Sequence, residues 1–446
     1  MRKLFALLVS LVSLVAGATQ PPAPKAAGTW QGTVTRGTQT ARFVVHITRT
    51  SAGDWAGNMF LESTNAIPIT SVTLDESTID LISNLGRYYG HLSADGTSIR
   101  GLWLRGNPRP LEPPITLELK HATPQTTWSL PSDSSPHTTR YITVDRDANL
   151  EVLDWGGSGR PVVLIPGFGD GSAHDFDQFA PKLTANYHVY GITRRGFGLS
   201  SAPYTGYSAD RLGDDVRAVL DALHLDRPIL VGASFGGEEL SSVGSRFPQR
   251  VAGLVYLEAG YGYAYYPPSG SYQIDAAELQ NKIERLQFLD KTSNESEEIE
   301  HLLKVELPSL TQSLQARQGR LQATPADLLA AIASEREPPP PPQLPSVQRD
   351  VLAGRQRFTS IPVPILAIFA APHEYPRSTG SDPASHAAAD ALDEARTGPI
   401  RTANAFEKGL PTAHVVRLPH ASHNVYNSNE ADVLREMSAF IGGLPR

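Results

Sequence analysis

The stretch Pro228-Ile229-Leu230-Val231-Gly232-Ala233-Ser234-Phe235-Gly236-Gly237-Glu238-Glu239-Leu240 decides how this chain is read. Its apolar run after Pro228 suits a short buried strand, and the sequence from Gly237 to Phe247 suits a helix. Between them lies Gly-x-Ser-x-Gly. A serine at so sharp a strand-to-helix turn is held in a strained, exposed conformation, and small neighbours let the backbones approach. Ser234 is therefore the candidate nucleophile.

Outward from this turn, apolar strand-like runs alternate with helical stretches from Tyr141 onward, which predicts a largely parallel sheet with helices on both faces. The expected strands are Tyr141–Val144, Leu150–Trp155, Pro161–Ile165, Tyr187–Ile192, Ile229–Val231, Val251–Leu257, Pro364–Phe369 and His414–Leu418. The alternation lapses between Tyr261 and Ser360, where charged helix-forming runs (Ala276–Leu289, Glu297–Val305) precede the proline run Pro338–Pro342. An insertion between two sheet strands lies over the strand ends where open α/β sheets bind ligands. Residues 261–360 are read as a helical lid.

Toward the N-terminus, residues 19–120 show period-two runs such as Arg42–Ile47 and Ile115–Leu119, broken by turn residues. They predict a small all-β barrel or sandwich. The turn Ser93-Ala94-Asp95-Gly96-Thr97 should join His91-Leu92 to Ile99–Trp103 as a hairpin. Trp30, Trp55 and Trp103 are expected in its core rather than in a ligand surface. Residues 121–138, with Pro124, Pro131 and Pro136 among Ser and Thr, read as a linker, and 139–446 as the second domain.

Residues 1–18 have a positive start at Arg2 and Lys3, an apolar run from Leu4 to Val15, and small residues at Ala16-Gly17-Ala18. This is the pattern of a signal peptide, and its apolar run is shorter than the roughly 20 residues that span a bilayer. The expected product is periplasmic or secreted, with no stable membrane anchor. Loss of Arg2 and Lys3 takes the formal net charge from −7 to −9, which excludes a basic surface for nucleic acid. The chain has no cysteine, so disulfides and thiolate metal sites are excluded.

A serine nucleophile that attacks a carbonyl generates an oxyanion, which needs two preorganised backbone N–H groups. Phe235, the residue after Ser234, supplies one. Val162-Val163-Leu164-Ile165 runs into the glycine-rich loop Pro166-Gly167-Phe168-Gly169, and Phe168 is the choice for the other.

From about Tyr141 to Gly443 the chain resembles the α/β-hydrolase family. Pro166-Gly167-Phe168 is similar to the family's His-Gly-x oxyanion loop, with Pro in place of His, and Arg194–Ser200 to its Arg-Gly-x-Gly-x-Ser segment. The first 120 residues share only a general look with small β domains placed before secreted bacterial serine hydrolases. The resemblance implies an eight-stranded sheet and a general base that comes last in chain order, on the loop after the final strand. His423, just before the expected helix Glu430–Ile441, fits better than its rival His420. No further His or carboxylate cluster accompanies this histidine pair in the sequence, so no metal is expected. For the acid that orients the base, Glu374 follows the strand Pro364–Phe369 at the usual family position, with a loop one residue longer and Glu for Asp. Glu258, at the end of the preceding strand, is the alternative; Glu374 is preferred.

Family members that open epoxides or displace halides carry Asp where this chain has Ser234, so the resemblance implies acyl transfer. The expectation is hydrolysis of a small-molecule carboxylic ester through an acyl-enzyme, with no cofactor. Amide, lactone or C–C bond hydrolysis and cofactor-free peroxidation are alternatives, as is an inactive binding protein on the same scaffold.

Overall fold

In the computed structural model, the residues described are 26–445 apart from 37–38, 51–52, 62–66, 76, 108, 110, 112, 130–134, 147, 170, 268–303, 305–307, 309–345 and 377–378. The expected signal peptide, the run Pro338–Pro342 and the insertion helices, apart from Lys304, therefore lie outside the described residues.

Eight antiparallel strands form the N-terminal unit: β1 (Gly28–Arg36), β2 (Gln39–Arg49), β3 (Trp55–Leu61), β4 (Ile67–Asp75), β5 (Thr78–Ser83), β6 (Gly86–Leu92), β7 (Ser98–Arg105) and β8 (Ile115–His121). Pairing of Trp30 with His121 and Gln31 with Lys120 joins β1 to β8 and closes a barrel, not a sandwich. The expected hairpin is present, with Leu92 opposite Ile99 and Tyr88 opposite Trp103. Alternation sends one side of each strand inward, and Trp30, Phe43, Tyr88 and Trp103 are buried there. Buried aromatics keep their polar ends satisfied: Trp30 Nε1–H donates to Ala26 O at 2.8 Å. Trp55 is half-buried, with Arg49 5.3 Å from its ring centre.

The second unit is an eight-stranded sheet in the order β16-β15-β14-β13-β11-β12-β10-β9. Its strands are β9 (Thr138–Asp145), β10 (Ala148–Gly156), β11 (Pro161–Ile165), β12 (His188–Ile192), β13 (Ile229–Ala233), β14 (Gly253–Leu257), β15 (Ile365–Ala370) and β16 (Ala413–Leu418). All eight strands read from the sequence are present. β9 and β10 are antiparallel, as is β10 with β12, and the rest run parallel. β11, β13, β14 and β15 are buried almost throughout, as expected of strands covered on both faces. Among the described residues no helix is long and apolar enough to cross a membrane.

The barrel is not a free appendage. Between β7 and β8, Asn107 O accepts from Ala202 N–H at 2.8 Å and Arg109 N–H donates to Ala202 O at 2.9 Å. The Arg109 guanidinium pairs with Asp350 on the helix Ser346–Ala353, the described stem of the insertion. Leu111 packs into an apolar cluster with Phe197, Tyr207, Phe235 and Val347, which Phe168 and Tyr263 also join.

Candidate active site

Ser234 follows β13 directly and adopts φ +47°, in the left-handed region that non-glycine residues rarely visit. Its amide donates to Leu257 O at 3.0 Å, and the helix Gly236–Arg246 begins two residues later. The glycine requirement is steric: a Cβ at Gly236 would lie 2.6 Å from Ile165 O, and one at Gly232 would lie 2.8 Å from the Gly236 backbone.

The loop after β11 crosses close to the nucleophile, since a Cβ at Gly167 would sit 3.1 Å from Ser234 Cβ. Arg194 pins this loop from beneath. Its two terminal nitrogens donate to Gly167 O and Pro166 O, each at 2.8 Å, and its Nε–H pairs with buried Glu239. Among the described residues no hydrogen bond engages the amide N–H of Phe168 or of Phe235. Both phenyl rings pack together, 5.2 Å between centres, beside the serine. Two unengaged amides on either side of a strained serine are the arrangement an oxyanion requires.

His423 lies on the loop between β16 and the helix Glu430–Gly443, and its Nε2 is 2.8 Å from Ser234 Oγ. His420 points elsewhere, with its ring 3.1 Å from the Tyr375 hydroxyl and its amide donating to Pro372 O at 2.8 Å. His423 keeps a solvent-facing edge. Desolvation of its ring lowers its pKa; the charge on nearby Glu258 opposes this and that on His373 adds to it.

Of the two candidate acids, the structure sets Glu258 beside His423 and Glu374 at the surface. Glu374 is exposed; its amide donates to Ala421 O at 2.9 Å, and its carboxylate joins none of the site groups. The loop after β15 turns His373, not Glu374, toward Glu258 and Asp393. Glu258, at φ +50° after β14, is fully buried near His423. Its carboxylate accepts from Ala370 N–H and the Tyr261 hydroxyl, and His373 Nε2 stands 3.2 Å from Oε1. Side-chain N and O atoms of Glu258, His373 and His423 come within 4.8 Å of one another. A cation there would compete with the donors already on Glu258 and with Ser234 for His423, so the cluster suits proton ordering better than metal binding.

Sequence reasoning missed four participants. His373 stood in the quoted Ala371-Pro372-His373-Glu374 segment but was passed over beside a carboxylate, and its partner Asp393 comes from the distant helix Pro383–Arg396. Tyr261 and Tyr263 open the insertion; the Tyr263 hydroxyl lies against Ser234, and burial holds it well above the usual phenol pKa. Nothing in local periodicity marks such contacts.

Comparison with known proteins agrees with this geometry. Residues 160–335 match a family model described as the alpha/beta hydrolase fold. A putative non-heme chloroperoxidase of Synechocystis sp. is 37% identical over 121 residues, 26% of this chain and 44% of that protein. A 2-hydroxy-6-oxo-2,4-heptadienoate hydrolase of Pseudomonas putida is 37% identical over 106 residues, 23% of this chain and 38% of that protein. A bifunctional esterase/perhydrolase of Acinetobacter calcoaceticus is 31% identical over 121 residues, 27% of this chain and 44% of that protein. The chain thus spans less than half the length of these relatives. The sheet order, the elbow at Ser234 and the match to the family model over residues 160–335 give the second unit the α/β-hydrolase fold.

Proposed function

We propose that the protein is a serine hydrolase that cleaves a small-molecule carboxylic ester through an acyl-enzyme. The observation that carries this reading is the 2.8 Å approach of His423 Nε2 to Ser234 Oγ, with the serine strained at φ +47°. In the reaction His423 takes the proton as Oγ attacks the carbonyl carbon, and the amides of Phe168 and Phe235 bind the resulting oxyanion. The tetrahedral species collapses, and His423 returns the proton to the departing alcohol. Water, deprotonated by the same ring, then releases the acid and regenerates Ser234. Glu258 orients the imidazole and stabilises its cationic form. No cofactor takes part.

The Tyr263 hydroxyl and the aromatic wall of Phe168, Phe197 and Phe235 face this chemistry, and they suit an acyl or alcohol group of apolar character. The test is a panel of p-nitrophenyl esters from two to sixteen carbons, together with labelling by a fluorophosphonate. Labelling at Ser234, and loss of both labelling and turnover by several orders of magnitude in Ser234→Ala, are the expected results. Equal turnover in that variant sinks the assignment. The relatives named as a bifunctional esterase/perhydrolase and as a 2-hydroxy-6-oxo-2,4-heptadienoate hydrolase make hydrogen peroxide, as an alternative acyl acceptor, and a 2-hydroxy-6-oxo-2,4-dienoate the two substrates to run beside the esters. Export by residues 1–18 belongs to the same proposal, and N-terminal sequencing of the secreted product should begin near Thr19.

A further inference from the structure

The cluster behind His423 has more members than orienting a base requires. His373 lies between two carboxylates, with Nε2 3.2 Å from Glu258 Oε1 and Nδ1 3.0 and 3.1 Å from the two Asp393 oxygens. Its own amide donates to Asp393 Oδ2 at 2.9 Å, and a β-bridge to Ala421 ties it to the loop that carries His423. Ionised carboxylates only accept hydrogen bonds, so both ring nitrogens must carry hydrogen to satisfy both partners. The Tyr261 hydroxyl, 3.3 Å from Nε2, gives its one hydrogen to Glu258 Oε1, so it leaves Nε2 free to carry its own, and the imidazolium is the form that serves both carboxylates. Resting on the serine-hydrolase reading above, we propose that His373 is a cationic positioning residue, clamped by Asp393, that braces the Glu258 carboxylate and sets the pH range over which His423 serves as base.

The surrounding charges agree. Burial disfavours a charged His373 ring, but hydrogen bonds and charge attraction from Glu258 and Asp393 outweigh it and push the pKa up to about 9. Asp393 is held ionised by the His373 amide, Thr397 and the His373 ring, against the opposing effect of burial. The groups that face His423 come from three directions. Glu258 and the Tyr261 hydroxyl come from the β14 end, His373 with Asp393 behind it from the β15 loop and its following helix, and Tyr263 with Ser234 from the elbow side. His420 and Asp390 face one another away from this cluster. A lone buried Glu258 would raise the pKa of His423 and cost it the neutral form in mild acid. The positive ring of His373, 6.3 Å from His423 between centres, cancels part of that effect.

The test is the pH dependence of kcat/KM on p-nitrophenyl acetate, which reports the free enzyme. His373→Gln keeps a hydrogen-bond donor for Glu258 but removes the charge. Its acidic midpoint should rise by about half to one unit, the size expected of one charge at this separation in a partly solvated site. His373→Ala should move the limb in the same direction and also slow fluorophosphonate labelling, because Glu258 is no longer braced. A purely structural His373 would lower thermal stability and leave the limb in place, and an unmoved limb in folded His373→Gln overturns the proposal. NMR titration of His373 in the wild-type protein provides a second arm that needs neither variant to fold nor activity to be present. A ring that is neutral at pH 7 overturns the proposal; one that titrates near 9 supports it. Failure of the serine-hydrolase reading is told apart by a wild-type enzyme that takes up no fluorophosphonate.

Discussion

Replacing Glu258 by Gln removes one negative charge with almost no change of shape, beneath a histidine that must become positive during the reaction. A carboxylate oxygen of Glu258 lies within 4.8 Å of a His423 ring nitrogen. At an effective dielectric of about 20, opposite unit charges at that distance attract by roughly 3.5 kcal/mol, which is a few hundredfold in rate. Loss of the group proposed to orient the ring adds to this, and substitution of the acid in comparable serine enzymes costs about 10⁴-fold. Glu258→Gln is therefore expected to lower kcat/KM by about 10³- to 10⁴-fold, with far-UV circular dichroism unchanged. Glu374→Gln is the matched control, since that side chain is exposed and outside the cluster, and its activity should stay within about twofold. Both are measured on p-nitrophenyl acetate at pH 8 with fluorophosphonate labelling alongside. If Glu374→Gln is the inactive variant and Glu258→Gln keeps near wild-type rates, the assignment of the acid is refuted.

Three further outcomes follow from the same geometry. His423→Ala should match Ser234→Ala in loss of turnover, because such groups act as a unit, whereas His420→Ala should keep most activity; the opposite pattern would show that the wrong histidine was chosen. Desolvation lowers the pKa of His423, so the neutral, base-competent ring persists below the ordinary histidine value of about 6.5, and the acidic limb of kcat/KM should have its midpoint under that pH. Arg194→Gln leaves Glu239 buried without its cation and frees the Pro166 and Gly167 carbonyls, so urea unfolding should show a loss of about 3 kcal/mol or more together with slower labelling of Ser234.

The legible part of this molecule was what short-range pattern encodes. Buried parallel strands are continuous apolar runs, so β11, β13, β14 and β15 could be read directly, and the glycines around Ser234 announced the tight crossing with Ile165. Closure of the barrel could not be read, because it depends on β1 meeting β8 about ninety residues away, and a sandwich has the same alternation. Which carboxylate lies beside His423 was hidden for a related reason. Glu258 and Glu374 both follow sheet strands, and what separates them is a left-handed turn at Glu258 that tucks its side chain inward. The bracing pair His373 and Asp393 lies beyond any local pattern, twenty residues apart across a loop and a helix.

The seam at Ala202 bears on how the protein comes apart. A barrel joined only by a tether would melt on its own, and calorimetry would record two events. Here the β7–β8 loop is hydrogen-bonded on both sides of Ala202, its arginine grips the helix Ser346–Ala353, and Leu111 shares an apolar cluster with the residues beside Ser234. Loss of the barrel would strip these partners from the second unit at the same moment, so the two units should unfold as one cooperative transition despite having separate cores. Heat that loosens the barrel should then disarm the serine at the same temperature, and inactivation would serve as a readout for a unit that contributes no nucleophile, base or acid.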